Sequence, residues 1–439
     1  MEEKKKKKKA DGEQKERKKN WREVYATVEE IKAFISDRIF LRHNVITGRV
    51  EYRLPSSYEQ DGTGWQPIND RIVNSLWAEL SQQKPVRVQD MYRVIESDFV
   101  PEFHPFRYYL EHLPPWDGQN YILAMSVSVN VKGDVQEQML FAEYLTKWLV
   151  GMVAGWIDET VVNNVILVLI GEQGSYKTTW FNYLLPLELS SYFYTKTNAQ
   201  RMGRDDLLTL AQYGLVCCEE LDTMRPSELN QLKAAVTMPS IDERAAYAHF
   251  HEHRKHIASF CGTGNNAQFL SDPTGNRRWL PFEVESIDSP REHPFDYTGI
   301  YSQAYALYQQ GFRYWFSHDE ILRLAIHNKQ FETPRLEHEL VQLYFRRPAD
   351  RESGEFVSVA LALQMVGTGI TQKLSSVLLG RAFMELGFER RTCRNVRGYI
   401  VVRRSAEEMR SLRSVIAQES SDPTPDPDVN TDTDDTVIF

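Results

Sequence analysis

The sequence predicts an α/β fold: a core built on a parallel sheet, preceded by a helical N-terminal region and followed by a small α+β domain of winged-helix outline. Three observations carry this. Residues 161–170 are an aliphatic, β-branched run that leads at once into Gly171-Glu172-Gln173-Gly174-Ser175-Tyr176-Lys177-Thr178-Thr179, the pattern of an interior strand feeding a sharp turn. Two further apolar strands, 213–218 and 256–262, alternate with helical patterns up to about residue 285. After a polar linker, 348–354, come two helical segments and a pair of short strands rich in arginine.

A chain of 439 residues has room for several domains. The boundaries expected are a basic tail at 1–20, a mostly helical region at 21–158, the core with a helical extension at 159–347, the winged-helix-like domain at 355–405 and an acidic tail at 406–439. The net charge of −9 is unevenly spread: residues 1–20 hold ten Lys/Arg against five Asp/Glu, and residues 419–439 hold seven acids and no base. Both tails are polar and poor in aromatics, so both are expected to be disordered. The body between them is acidic, which excludes nucleic-acid binding through overall charge and leaves it to local basic patches. No apolar run reaches the roughly 18 residues needed to cross a bilayer, so no membrane partner is expected and the location expected is cytoplasmic. Cys217, Cys218, Cys261 and Cys393 form no metal-binding spacing and read as reduced, buried thiols.

Residues 21–158 are broken by Pro55, Pro67, Pro85, Pro101, Pro105, Pro114 and Pro115, with helical periodicity at 88–98 and 136–153. The cluster from Phe103 to Tyr109, with Trp116, reads as a packed aromatic corner. In the turn after the strand 161–170, backbone N–H groups and the start of the next helix, from Thr178 to a stop at Pro186, converge on a polyphosphate. Lys177 would reach the outer phosphates and Thr178 would hold a magnesium ion. The pattern G-x-x-x-x-G-K-[ST] asks for glycine at position 176, where this chain has Tyr176.

The second strand, 213–218, delivers Glu219 and Glu220, with Asp222 two residues on. Acids at a strand's carboxyl end beside a phosphate turn hold the metal and polarise the attacking water. Glu219 is assigned to the metal and Glu220 to the water, with Asp222 a rival for either. The third strand runs into Thr263-Gly264-Asn265-Asn266, where Asn265 is the chosen amide for orienting that water. Arg277 and Arg278 follow a Gly-Asn turn, and an arginine supplied to a γ-phosphate pairs with its oxygens through a planar fork.

Between the acids and Asn265, residues 241–256 read as a hairpin carrying Arg244, Arg254 and Lys255 toward nucleic acid. Its four histidines match no zinc spacing. In the C-terminal domain, helices at 357–365 and 375–386 precede strands near 390–393 and 398–403. Arg391, Arg394 and Arg397 lie in a stretch with no acid between Arg390 and Arg404, a local phosphate-contacting patch.

Gly171-Glu172-Gln173-Gly174 with Lys177-Thr178, then Glu219-Glu220-Leu221-Asp222, Asp242 with Arg244 and Tyr247, Gly262-Thr263-Gly264-Asn265 and Asp272 to Arg278 together resemble the virulence-associated protein E family. That family is similar to superfamily 3 helicases within the AAA+ class of P-loop ATPases. The resemblance covers about residues 100–285. It implies ATP and Mg2+ as cofactors, single-stranded DNA as partner, a homo-oligomeric, hexameric ring with ATP between subunits, and a role in a phage or mobile-element replication module. Lys177 and Thr178 would bind phosphate and magnesium, Glu219 and Glu220 would be the metal-and-water acids, Asn265 the sensor, and Arg277 or Arg278 the finger. A primase would be a separate partner, since residues 21–160 hold no primase acid constellation. The reading from a different class is a nucleotide-switched DNA-binding or scaffolding protein with weak hydrolysis. A small-molecule P-loop kinase is disfavoured, because no arginine-rich lid follows the turn.

Overall fold

A computed structural model describes residues 25–55, 64–196, 204–243, 252–270, 276–333, 335–350, 352–368, 370 and 374–419. The chain divides into two compact units at 332/333. Among the described residues, no helix is long and apolar enough to cross a membrane.

The first unit opens with α1 (Val28–Arg38), β1 (Phe40–Asn44), β2 (Arg49–Arg53), β3 (Gln66–Pro67), α2 (Asp70–Gln83), α3 (Val88–Ile95) and β4 (Glu102–Phe103). The strands form a sheet of order β3-β2-β1-β4 that a helical reading of this region missed. The signal was weak because β1 and β2 are charged and short. Arg42 lies on the aromatic side of this sheet, 3.6 Å from the Phe103 ring centre and 4.2 Å from that of Trp65, and pairs with Glu51 at 2.6 Å. Only tertiary contacts make such a strand. The opposite face, with Leu41, Val50 and Tyr52, packs on Ile31, Ile35, Leu76 and Met91 of the three helices.

Next come α4 (Pro105–Glu111), α5 (Tyr121–Ser126), β5 (Val129–Val131) and α6 (Val135–Ile157). Asp134 caps α6 by accepting from Gln136 N (2.9 Å) and Glu137 N (3.1 Å). From Phe141 to Trp156 the helix is apolar nearly all round, which marks a helix buried on every side. The aromatic corner packs here: Phe106 is fully buried and stacks on Trp156 at 4.5 Å, while Tyr108 is exposed.

The core sheet is built from β6 (Ile166–Ile170), β7 (Phe193–Lys196), β8 (Leu215–Cys218), β11 (Ser259–Gly264) and β12 (Trp279–Ile287), in the order β5-β12-β6-β11-β8-β7. The intervening elements are α7 (Lys177–Asn182), α8 (Arg204–Gln212), α9 (Pro226–Val236) and the antiparallel pair β9 (Ser240–Glu243) and β10 (Glu252–Lys255). Every pairing in the core sheet is parallel except β5 with β12. Leu167 and Leu169 face one core with α6, whereas Ile166, Val168 and Ile170 face the other with α9. Both faces are therefore dry, and each buried aliphatic side chain contributes roughly 1.5–3 kcal/mol.

Residues 161–165, expected as strand, lie outside it. The neighbours β11 and β12 begin to pair only at Ile166, and Asn163 turns inward to donate to Trp148 O and Ser259 Oγ, each at 3.0 Å. Helices α10 (Tyr297–Gln309) and α11 (His318–His327) complete the unit.

The second unit holds α12 (Leu336–Tyr344), β13 (Phe345–Arg346), β14 (Glu355–Ser358), α13 (Val359–Val366), α14 (Ser376–Glu385), β15 (Arg390–Cys393), β16 (Val396–Arg403) and α15 (Ala406–Glu419). Strand β16 pairs antiparallel with β13, β14 and β15, and α12, α13 and α14 share one core around Val341, Leu379, Phe383 and Val401. Residues 406–419, expected to be disordered tail, form α15; Met409, Leu412 and Ile416 stand at heptad-like spacing among charged and polar neighbours. The basic tail 1–20 and the acidic stretch 420–439 lie outside the described residues. Cys217, Cys218 and Cys261 are buried as expected, but Cys393 is exposed on β15.

Candidate functional site

The turn between β6 and α7 owes its shape to close approach and to left-handed backbone. A Cβ at Gly171 would sit 2.8 Å from both Cγ2 and the carbonyl oxygen of Val284, so β12 passes too near for any side chain. The Gly171 N–H donates to Gly264 O at 3.2 Å, tying the turn to the end of β11. Gly174 has φ +87 and Tyr176 φ +60. The second position is therefore left-handed, as the glycine-requiring pattern demands, and holding tyrosine there costs about 1–2 kcal/mol. The helix behind offsets this: Trp180 N donates to Tyr176 O at 2.7 Å, and the buried Trp180 indole donates to Ser128 Oγ at 2.9 Å. Lys177 folds back over its own turn, donating to Gly171 O (2.8 Å), Glu172 O (2.6 Å) and Ser175 Oγ (3.1 Å). Burial lowers its pKa, and the charge of Asp222 opposes that shift.

The acids leave β8 through a second left-handed residue, Glu220 (φ +54), into a single 3-10 turn at Leu221–Thr223. Thr223 closes this turn, its N–H and hydroxyl both donating to Glu220 O at 3.0 and 2.9 Å. Leu221 is fully buried against β11. The Gly262-Thr263-Gly264 segment accommodates it, since a Cβ at 262 would lie 2.3 Å from Leu221 Cδ1 and one at 264 would lie 3.1 Å from Asp222 Oδ1. These glycines, legible as a motif, serve packing between two turns.

Gln173, Gly174, Ser175, Tyr176, Lys177, Thr178 and Thr179 line one cavity of about 410 Å3 together with Glu219, Glu220, Thr263, Gly264 and Asn265. Three separate strand ends thus meet where the order of the core sheet reverses around β6, the place where open parallel sheets bind ligands. Backbone N–H groups, an ammonium and hydroxyls face two carboxylates and an amide. Such a set suits an anionic phosphate accompanied by a hard cation, for which the Thr178 hydroxyl and the Glu219 carboxylate are fitting oxygen donors. Gly171 and Glu172 support the turn from outside the cavity wall.

Arg277 and Arg278 are not brought to this cavity. They precede β12, whose Trp279 pairs with Ile166 at the amino end of β6, so they lie roughly 15–20 Å along the strands from the turn. Arg277 is exposed, while burial, followed by the neighbouring Arg277, lowers the pKa of Arg278. Arg244 lies outside the described residues. The Arg254 guanidinium rests against Gly48, where an added Cβ would be 2.2 Å from Nη2.

Lys255 is committed internally: it donates to Gly155 O at 2.9 Å and to Asp158 O, closing the carboxyl end of α6, and burial pushes its pKa down to about 8. Sequence shows this charge without its partners, and the structure gives it internal acceptors at the end of α6. His256 is buried with Nδ1 2.6 Å from Met238 O. Arg391, Arg394 and Arg397 are all exposed on the β15–β16 hairpin, whose turn residues Arg394 and Asn395 both have positive φ.

A larger cleft, about 940 Å3, opens beside β1 and β2. Asp70, Glu96, Asp98 and Glu102 on its wall make it unsuited to a polyphosphate. The 410 Å3 cavity is the candidate site.

Fold and site define a mixed α/β protein with a polar cavity at the carboxyl edge of a mainly parallel sheet. Residues 110–333, just over half of the chain, match the virulence-associated protein E-like domain. The chain belongs to that family. A search of curated proteins gave no match. Among solved structures, the apo structure of the NrS-1 C-terminal region (305–718) is similar with a TM-score of 0.45 and 12% identity, covering 85% of this chain and 98% of that one. The A form apo structure of the same region gives 0.45 and 11%, with the same coverage.

Proposed function

We propose that the chain is an ATP-hydrolysing DNA helicase or translocase of a phage or mobile-element replication module, acting as a ring of identical subunits with a P-loop, AAA+ type core. One observation carries the reading: a single cavity gathers the turn 173–179, Glu219, Glu220 and Asn265 from three strand ends. Lys177 would exchange its three internal acceptors for the outer phosphate oxygens, which is favourable because charge-assisted bonds to phosphate are stronger than those to carbonyls. Thr178 and Glu219 would hold Mg2+, which when bound neutralises developing phosphate charge. Glu220 would take the proton of the attacking water, and Asn265 would orient that water.

The distance of Arg277 and Arg278 from their own cavity fits a role at a neighbouring subunit's phosphate, with the exposed Arg277 the better placed. In the second unit, the hairpin bearing Arg391, Arg394 and Arg397 supports a winged-helix reading and a DNA backbone contact. Tyr176 favours a second reading, a nucleotide-switched DNA-binding or scaffolding protein, because a strained, half-exposed ring at the rim opposes tight closure of the turn.

ATP hydrolysis by the native chain and by Lys177→Ala, each with and without single-stranded DNA, tests the proposal. The native chain should turn over and the variant should lose about 100-fold or more. Binding of ATP without turnover in the native chain would favour the switch. Equal, measurable hydrolysis by native chain and variant would remove this cavity as the site of turnover.

A further inference from the structure

We propose that Asp222 is a positioning residue that locks the amide turn carrying Asn265 to the acid turn carrying Glu219 and Glu220. The inference rests on the ATPase reading of the cavity and adds to it a residue outside the cavity wall. Asp222 Oδ2 accepts the Asn266 backbone N–H at 3.1 Å, the direct polar link between the two turns. The link is kept short by Gly264, since a Cβ there would lie 3.1 Å from Asp222 Oδ1 and crowd the carboxylate off the strand. On the other flank, Leu221 is seated against Gly262, so the turn cannot slide along β11.

Asp222 Oδ1 is buried and finds no hydrogen-bond partner among the described residues. A buried carboxylate oxygen left unpaired is unfavourable, so the packing of Leu221 and the bond to Asn266 must hold it there. One carboxylate thus relates the two acids to the amide, groups whose spacing must be correct together for an attacking water to be aligned.

The test measures affinity for a fluorescent ATP analogue and single-turnover hydrolysis of ATP for the native chain, Asp222→Ala, Asp222→Asn and Gly264→Ala. Asp222→Ala removes the acceptor and should lower the hydrolysis rate by roughly 10- to 100-fold, the cost of a misplacement near 1 Å, with affinity within about threefold. Asp222→Asn keeps an acceptor oxygen for Asn266 and should retain most of the rate. Gly264→Ala, which pushes on the carboxylate without removing it, should reproduce the loss of rate and covers the case in which Asp222→Ala does not fold. The proposal is overturned if Asp222→Ala or Gly264→Ala hydrolyses within twofold of native, if affinity and rate fall in parallel, or if Asp222→Asn is as impaired as Asp222→Ala. Absence of hydrolysis by the native chain would remove the ATPase reading and this role with it, whereas hydrolysis indifferent to Asp222 would remove this role alone.

Discussion

Replacing Gly262 by alanine tests whether the acid turn is seated by packing. The new Cβ would meet Leu221 Cδ1 at 2.3 Å and Cys218 O at 3.0 Å, against an optimal carbon separation of about 3.5–4.0 Å. Leu221 is fully buried in the core under β8 and β11 and has no solvent to turn into. Overpacking of this kind costs about 1–3 kcal/mol. Restricting the unfolded chain at the former glycine returns about 0.4–1 kcal/mol. A net loss of about 1–2 kcal/mol follows, a thermal shift of a few degrees at roughly 2–4 °C per kcal/mol for a domain of this class.

Leu221→Ala alone should cost about 2–5 kcal/mol by leaving a cavity. In the double variant the added methyl enters that cavity, so the combined loss should fall short of the sum by about 1 kcal/mol or more. Thermal unfolding of the four proteins reads this cycle, and ATP hydrolysis should fall in Gly262→Ala because Leu221 sits between Glu220 and Asp222. Strict additivity, or a Gly262→Ala protein as stable as the native one, would refute the packing argument.

Three further predictions concern buried charge. Lys147 and Glu320 form an ion pair at 3.2 Å, both nearly inaccessible, and Arg313 reaches the same carboxylate oxygen at 2.9 Å, so Lys147→Ala removes one of two cationic partners and should cost about 1.5–3 kcal/mol; denaturant unfolding checks this. Burial pushes the Glu320 pKa up, but the Ser317 N–H and Lys147 outweigh it and hold the carboxyl at about 2. Its contribution is therefore present above the ordinary 4.5 and lost as pH falls toward 2, and Glu320→Gln should flatten that part of the stability profile. For Lys255 the sign is the same in a higher window: its folded pKa of about 8 lies below the ordinary 10.5, so the unfolded chain binds more proton between these values. Stability should gain from this lysine as pH rises from 8 to 10.5, and the difference between native and Lys255→Met thermal melts should disclose that gain.

The strand–turn–helix and the order of polar strand ends were legible in the sequence because each depends on local pattern: an aliphatic run, a glycine turn, acids following a strand. The hairpin 390–403 was legible for the same reason, and so was the burial of Cys217 and Cys218 within an apolar strand. What stayed hidden depends on partners distant in the chain. The sheet of β1 to β4 carries charged residues that become strand-like only when Arg42 lies against Trp65 and Phe103. Lys255 reads as a basic contact until the carboxyl end of α6 is placed beside it. Asp222 is one acid among three until its hydrogen bond to Asn266 is seen.

The sequence alone determined which chemical groups stand at the ends of β6, β8 and β11, since side-chain type and strand pattern are local properties. Only the tertiary structure decided which of them share a cavity and which, like Arg277 and Arg278, stand at the far end of the sheet. Strand order and register are set by burying both faces of the sheet at once, a condition imposed by residues more than a hundred positions apart, such as Trp148 and Phe260.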